Sequence, residues 1–205
     1  MKTLPRLLFV LSLVVPSAFA APGTKGRPLD SCDSIDPKTT VQHEVVAKVI
    51  TTTDPQHRKA LELTIDYAKP GGYPGYMKTF TPGIVDPKKV SAVRFFCRSN
   101  SDTSFSFELL RTTQRKDGKA YFFWGGAYKA SKEWTEITIP LENFKRAGGK
   151  IWKNGAQQDM PGSGEPMDED DLSKIGQFKI TSIIDQRGTA TVGHLVFDSI
   201  ELVEK

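Results

Sequence analysis

The 205-residue sequence has few of the residues on which most enzyme chemistry depends. It contains 2 cysteines and 3 histidines, and it lacks the G-x-S-x-G, H-E-x-x-H, C-x-x-C and P-loop patterns. These absences exclude the common signatures of serine hydrolases, zinc proteases, thioredoxin-like proteins and nucleotide-binding ATPases. The net charge is only +4, and the basic residues are scattered, so we expect no nucleic-acid partner.

Long apolar runs are absent beyond the N-terminus. Residues 7–15 are apolar apart from Ser12, follow Lys2 and Arg6, and precede an Ala-Phe-Ala sequence that ends at Ala20. This order of charge, apolar run and small residues is typical of a signal peptide. We therefore predict a signal peptide at 1–20, cleavage near Ala20, a secreted or periplasmic protein, and no membrane span.

The cysteine count leaves two interpretations open. An even number of cysteines in an oxidising compartment favours a disulfide between Cys32 and Cys97. Such a bridge would tie the N-terminal segment to a strand and, on the chain-entropy model, would add roughly 4 kcal/mol of stability. The alternative is that Cys97, within the sequence RFFC, is a small buried apolar residue.

Alternation of apolar and polar residues predicts an all-β fold. The pattern is clearest in five segments, at 45–51, 61–67, 93–97, 105–109 and 137–141. Two further strands are indicated near 178–184 and 195–202, and about eight strands with no amphipathic helix favour a β-sandwich or jelly roll. We expect an extended lead-in at 21–40, one sandwich domain at 41–205, and a solvated loop for the acidic run 168–171.

The C-terminal half resembles a known family. WTEITIPLENF at 134–144, DDLSKIGQFKITSI at 170–183 and VFDSIELVE at 196–204 are similar to segments of galactose-binding-like jelly rolls. The nearest members are the family 11-type carbohydrate-binding modules and the complex I intermediate-associated (CIA30-like) domain. This resemblance implies a jelly-roll sandwich of two antiparallel sheets and a non-catalytic module that binds carbohydrate.

A carbohydrate-binding face needs planar aromatic rings against sugar rings and polar side chains for the hydroxyl groups. Residues 69–83 are expected to form a glycine- and proline-rich loop that carries Tyr73 and Tyr76. Strand parity and loop position select eight candidates, each of which could instead serve core or edge packing. They are Tyr73, Tyr76, Arg94, Arg98, Glu108, Tyr121, Trp124 and Tyr128.

The resemblance also implies a structural calcium ion near the last strand. Asp198 occupies the aspartate position of the closing motif, and Asp30, Asp33 or Asp36 would lie alongside. Calcium takes six to eight oxygen ligands, which a single aspartate does not supply. The alternative is that Asp198 caps a turn.

Two further functions are carried as alternatives. A CIA30-like scaffold would bind a protein partner through an exposed apolar patch. The segments FELLR and YFFWGGAY resemble strands of jelly-roll polysaccharide lyases, in which Arg111, Tyr121 or Tyr128 and a histidine would bind a uronate and move its proton. The Gln-Ile-His motif of those lyases is absent, and His43, His57 and His194 lie outside any such motif, so a non-catalytic role is favoured.

Overall fold

The computed structural model describes residues 26–36, 39–42, 45–66, 75–99, 104–148, 150–153, 156–159, 161–183 and 192–205. The predicted signal peptide lies outside these residues and stays a prediction. Strands dominate the described ranges. In chain order they are β1 Gly26–Asp30, β2 Thr39–Gln42, β3 Val45–Thr51, β4 Lys59–Asp66, β5 Gly75–Thr79, β6 Val90–Ser99, β7 Ser104–Arg111, β8 Phe122–Lys129, β9 Thr135–Pro140, β10 Lys145–Arg146, β11 Lys150–Lys153, β12 Ala156–Asp159, β13 Ile175–Ile183 and β14 Val192–Glu204.

These strands form two sheets and a separate hairpin of β11 with β12. Sheet A has the order β3-β4-β14-β6-β9, with β1 also paired to β14, and sheet B has the order β10-β8-β7-β13-β5-β2. Every named pairing between described strands is antiparallel. The predicted all-β sandwich of two antiparallel sheets is therefore confirmed.

Aromatic rings fill the space between the two sheets. Phe95 on β6 stacks on Phe107 of β7 at 5.2 Å between ring centroids, and Phe107 stacks on Phe178 of β13 at 5.4 Å. Phe105 meets Phe197 of β14 edge to face at 5.1 Å. All five rings are buried, and contacts of this geometry stabilise a core beyond the area they bury. The alternate residues of these strands consequently point outward, away from the sandwich.

The structure contains elements that strand periodicity did not indicate. Strand β1 lies within the segment expected to be an extended lead-in, and β5 lies in a stretch expected to be a glycine and proline loop. A short helix, α1 (Glu169–Lys174), replaces the solvated loop expected for the acidic run, and residues 141–143 form one turn of 3-10 helix. No helix among the described residues is long and apolar enough to cross a membrane.

Cys32 and Cys97 are buried free thiols, so the structure does not contain the predicted disulfide. Strand β1 pairs with β14 at Ile200, and β6 pairs with β14 at Phe197 on its other edge. Cys32 follows β1 at one edge of β14, and Cys97 lies on β6 at the other edge, so β14 runs between the segments that carry them. Burial raises the pKa of the Cys97 thiol to about 12.

Candidate functional site

The outer surface of sheet B presents a continuous row of polar and aromatic side chains. Lys145 pairs with Trp124, Trp124 with Glu108, Glu108 with Lys179, and Lys179 with Met77. Residues directly opposite each other on neighbouring strands share a face, and the odd-numbered neighbours of Glu108 on β7 face the core. We call this five-residue row and the sheet surface around it the Trp124 face.

Trp124 is the most exposed aromatic residue of this surface. Its side chain is 46% exposed, and it lies opposite the carboxylate-bearing residue Glu108 on β7. An indole left open to water on a strand does not contribute fully to folding, and its ring remains available for an apolar surface of a ligand. The arrangement of a planar ring beside a carboxylate suits a ligand that is both apolar and rich in hydroxyl groups.

Glu108 is held in place within the Trp124 face. Burial raises the pKa of its carboxyl group above the ordinary value, while the charge of Lys179 and a hydrogen bond from Ser106 oppose that rise. The Ser106 hydroxyl donates to Glu108 Oε1 at 3.1 Å. Glu108 is thus a partly desolvated acceptor whose position is fixed by its neighbours.

The two tyrosines of the β8 region have different surroundings. Tyr121 precedes β8 and is 38% exposed, so it remains a candidate at the margin of the Trp124 face. Tyr128 turns inward, packs on Phe105 at 5.8 Å, and donates its hydroxyl to the Gly125 carbonyl at 2.8 Å. Burial raises the pKa of Tyr128 to about 12, and its partly buried ring packs against the core.

A bulge explains why Tyr128 does not share a face with Trp124. The pairing register of β7 with β8 shifts between Ser106 and Glu108, opposite the glycines of β8, where Gly126 has a φ of 127°. An extra residue in one strand reverses the alternation of side chains beyond it. Parity counted from Trp124 therefore predicts the wrong face for Tyr128.

The expected aromatic loop does not supply a ligand contact at Tyr76. This residue belongs to β5, is fully buried, and donates its hydroxyl to Asp30 Oδ2 at 3.0 Å. Lys78 completes the buried group, with its ammonium 3.0 Å from Asp30 Oδ1. Tyr76 therefore joins the sheets internally, and Tyr73 lies outside the described residues.

Arg94 and Arg98 belong to the opposite side of the sandwich from Trp124. Both are on β6, and their neighbours Val93, Phe95 and Cys97 face the core, so the arginines point to the outer surface of sheet A. Arg94 pairs with Glu201 through Nε at 2.6 Å. The predicted set of ligand contacts is thus divided between two faces that do not meet.

A buried cluster of arginines and aspartates lies at one end of sheet B. Asp171 of α1, which is fully buried, accepts hydrogen bonds from Arg146 at 2.6 Å, Arg111 at 2.7 Å and Arg115 at 2.9 Å. Burial would raise the pKa of Asp171, but the hydrogen bonds from these arginines outweigh it and hold the pKa well below its usual range. Asp168 caps α1 by accepting from the Asp171 backbone at 2.8 Å.

This cluster corrects two expectations from the sequence. The acidic run is part of an ion-pair network, and its cations are arginines. Asp168, Asp170 and Asp171 have oxygen atoms within 4.8 Å of one another, but Arg111 and Arg115 already bind them. Arg111 is 3% exposed, so it does not reach a substrate as a polysaccharide lyase would require.

Asp198, the predicted calcium ligand, is paired with a histidine. His57 Nδ1 lies 2.8 Å from Asp198 Oδ2, and both side chains are buried on the outer surface of sheet A. The His57 ring is stacked on Trp134 at 4.2 Å and packs against Phe96 at 4.8 Å. Within the described ranges, Asp198 does not belong to a group of three or more metal-binding side chains.

Several residues of the Trp124 face were missed by sequence analysis. Lys179 and Met77 are recognised only through the pairing of β13 with β5, which places strands from distant parts of the chain side by side. A cue existed in the alternation of the sequence QFKITS, whose outward residues include Lys179 and Thr181. The remaining histidine candidates are no closer to this face, because His194 lies on β14 of sheet A and His43 is outside the described residues.

This chain is similar to known proteins in fold, but its sequence matches none of the families or curated proteins compared. No protein-family model matches the sequence, and neither does any curated protein. The family 11 carbohydrate-binding module from Clostridium thermocellum, in complex with a β-1,3-1,4-mixed-linked tetrasaccharide, is similar with a TM-score of 0.60 and 17% identity, over 87% of this chain and 95% of that chain.

Two other solved structures give the same result. A family 30 carbohydrate-binding module has a TM-score of 0.58 and 14% identity over 84% of this chain and 95% of that chain. The CBM22-1 xylan-binding domain of Xyn10C from Paenibacillus barcinonensis has a TM-score of 0.52 and 10% identity over 88% of this chain and 96% of that chain. At these identities the likeness establishes the fold, which is the jelly roll expected from the family 11 resemblance.

Proposed function

We propose that this protein is a secreted, non-catalytic carbohydrate-binding module whose ligand lies along the Trp124 face. The exposed indole of Trp124 beside Glu108 is the observation that carries the proposal. Carbon-bound hydrogens on a pyranose ring pack against an indole, and the hydroxyl groups around the ring need acceptors and donors close by. Glu108 supplies an acceptor and Lys179 a donor, on neighbouring strands of the same face.

The size of the Trp124 face favours a chain of sugars over a single sugar. The row from Lys145 to Met77 crosses five strands, and at about 4.8 Å per strand spacing it extends for roughly 19 Å. A surface of this length provides contacts for several consecutive sugar residues. The family 11 module, which shares this fold over most of both chains, was solved in complex with a tetrasaccharide.

The Trp124 face can be tested with a glycan array and isothermal titration against the glycans that respond. Replacement Trp124→Ala is expected to weaken binding at least tenfold, because the main apolar contact is lost. The free energy of unfolding should fall by only about 1 kcal/mol, since close to half of the residue is exposed. Circular dichroism checks that the fold is retained.

Val46→Ala is the matched control, because Val46 is 61% exposed on β3 of sheet A and far from the Trp124 face. It should leave glycan binding unchanged. Absence of binding to any glycan by the wild-type protein, or equal binding by Trp124→Ala, would contradict the proposal. The first of these outcomes would favour the CIA30-like alternative, in which the partner is a protein.

A further inference from the structure

A cleft of about 270 Å³ lies at one end of the outer surface of sheet A, away from the Trp124 face. The loop between β3 and β4 forms one wall, the segment before β9 forms the other, and β6 contributes Arg98. The lining includes Asp54, Arg98, Lys132, Glu133 and Trp134. Pockets for drug-sized ligands measure about 300 to 1,000 Å³, so this cleft suits a ligand of about one sugar residue.

The two arginines on the outer side of β6 differ in their partners. Arg94 is paired with Glu201 on β14. Arg98, four residues along the same strand, has its guanidinium over the Trp134 ring at 5.2 Å, and its buried Nε has no hydrogen-bond partner among the residues that the structure describes. A guanidinium forms strong paired hydrogen bonds with carboxylates. Arg98 is therefore the arginine of β6 that is available to bind an anion in the cleft.

The guanidinium of Arg98 packs on a Trp134 ring that is itself held in place by other side chains. Trp134 stacks on His57 with an interplanar angle of 29°, and His57 is fixed by Asp198 on β14. A cation over an indole ring is stabilised by the ring's electron density. The guanidinium consequently does not need to be ordered when a ligand arrives, which reduces the entropic cost of binding.

We propose that this cleft is a second binding site, which takes a sugar residue bearing a carboxylate, that is, a uronic acid. Arg98 binds the carboxylate and Lys132 adds positive charge. Asp54 and Glu133, which line the same cleft, accept hydrogen bonds from the sugar hydroxyls. This division of roles accounts for the presence of both signs of charge in one small cleft.

That the cleft binds an anion is inferred from Arg98 and Lys132 and does not depend on the proposed function. That the anion is the carboxylate of a sugar rests on the proposed function. Two of the three tryptophans allow the sites to be observed separately, because the indole N–H signals of Trp134 and Trp124 report on the cleft and on the Trp124 face. Sodium D-glucuronate titrated into the whole protein should shift the Trp134 signal in a two-dimensional ¹⁵N–¹H spectrum and leave the Trp124 signal in place. Methyl glucoside at the same concentration should not shift the Trp134 signal.

Arg98→Gln should weaken glucuronate binding at least tenfold, whereas Arg94→Gln, the matched control on the same strand, should change it less than twofold. Lys132→Met, at an exposed position, should weaken it by a smaller factor, and the spectrum itself shows whether each variant is folded. Trp124→Ala should leave glucuronate binding intact even if it abolishes binding of longer glycans.

Three results would overturn the second site. They are equal affinity for methyl glucoside, no response of the Trp134 signal to glucuronate, and an Arg98→Gln variant that binds as the wild type does. Acetate that binds as tightly as glucuronate would remove the sugar from the proposal, and glucose 6-sulfate that binds more tightly would replace the carboxylate by a sulfate ester. If the Trp124 face binds no glycan, the proposed function fails, but binding of glucuronate to the cleft can still be observed through the Trp134 signal.

Discussion

The outer faces of sheets A and B use charged side chains in different ways. On sheet A the charges are paired across the face, with Lys48 bound to Glu62 at 2.8 Å and Arg94 bound to Glu201. On sheet B the strongest ion pairs gather at one end, around Asp171. The middle of the sheet B face is left to Trp124 and its polar neighbours.

This difference separates stability from recognition. On sheet A, charged side chains that are paired with one another are not free to bind a ligand. Arg98, near the end of β6, differs from them because its guanidinium lies over the Trp134 ring. Charges gathered at the end of a sheet fix the long segment before β13 through α1 while they keep the neighbouring surface open. The two faces should therefore respond differently to substitution, and the following predictions test that difference.

The largest expected effect is a loss of stability at the end of sheet B. Asp171→Asn removes the negative charge that Arg146, Arg111 and Arg115 share. Arg146 is only 1% exposed, and it would be left as a buried charge whose remaining carboxylates, on Asp168 and Glu165, are 3.7 and 3.8 Å away. Removing one member of a buried ion pair costs about 3 to 5 kcal/mol, and we expect a decrease of this size in the free energy of unfolding measured in urea.

Asp117→Asn is the control for this prediction. Asp117 also pairs with Arg115, at 2.7 Å, but its carboxylate is well exposed to solvent. Its loss should have a far smaller effect, because exposed pairs contribute little. If the two substitutions lower the free energy of unfolding equally, then the burial of Asp171 is not the reason why the cluster stabilises the protein.

A smaller loss of stability is expected on the face of sheet A. His57→Ala leaves the buried carboxylate of Asp198 without its partner and removes the ring that covers Phe96. An unsatisfied buried polar group costs about 1 to 3 kcal/mol. Thermal unfolding should show the loss, and glycan binding to the Trp124 face should be unaffected.

Asp198→Asn with retained stability would contradict this account, since it would imply that the His57 contact is incidental. Lys48→Met offers a comparison on the same sheet, because the Lys48 side chain is 58% exposed and its pair with Glu62 is open to solvent. We expect little change in that variant.

Strand parity predicts much of this fold because one face of each strand is buried. Predicted segments such as 93–97 and 105–109 lie within β6 and β7, and their alternate residues fill the core as expected. The short elements were missed. Strand β5 has only 5 residues and α1 has 6, which is too few for a periodic signal to emerge, and α1 depends on the cap at Asp168.

The candidate site was predicted less completely than the fold. Glu108 and Trp124 lie opposite each other on the outer face of sheet B, as parity predicts, because Trp124 precedes the bulge in β8. Tyr128 lies beyond the bulge, so parity predicts the wrong face for it. The role of Glu108 and Trp124 as ligand contacts stays a prediction. Arg94 and Arg98 were assigned to the same face as Trp124 because the sequence does not show which sheet a strand joins. That information depends on pairings between distant segments, such as β6 with β14.

The smallest expected effect concerns the pH dependence of binding at Glu108. Because burial raises the pKa of this carboxyl group, it takes up a proton at a pH above the ordinary glutamate value. A protonated Glu108 accepts hydrogen bonds from sugar hydroxyls less well, so glycan binding should weaken as the pH falls through this raised pKa, by at most about tenfold per pH unit. Stability should change in the opposite direction, because a raised pKa in the folded state favours folding at low pH and that contribution is lost as the pH rises.

Glu108→Gln keeps the shape of the side chain but does not titrate. Glycan titrations and unfolding measurements on this variant between pH 4 and 7 should therefore show a flatter pH dependence of both binding and stability. A Glu108→Gln variant with the wild-type pH profile would place the titrating group elsewhere and remove Glu108 from the Trp124 face as a ligand contact.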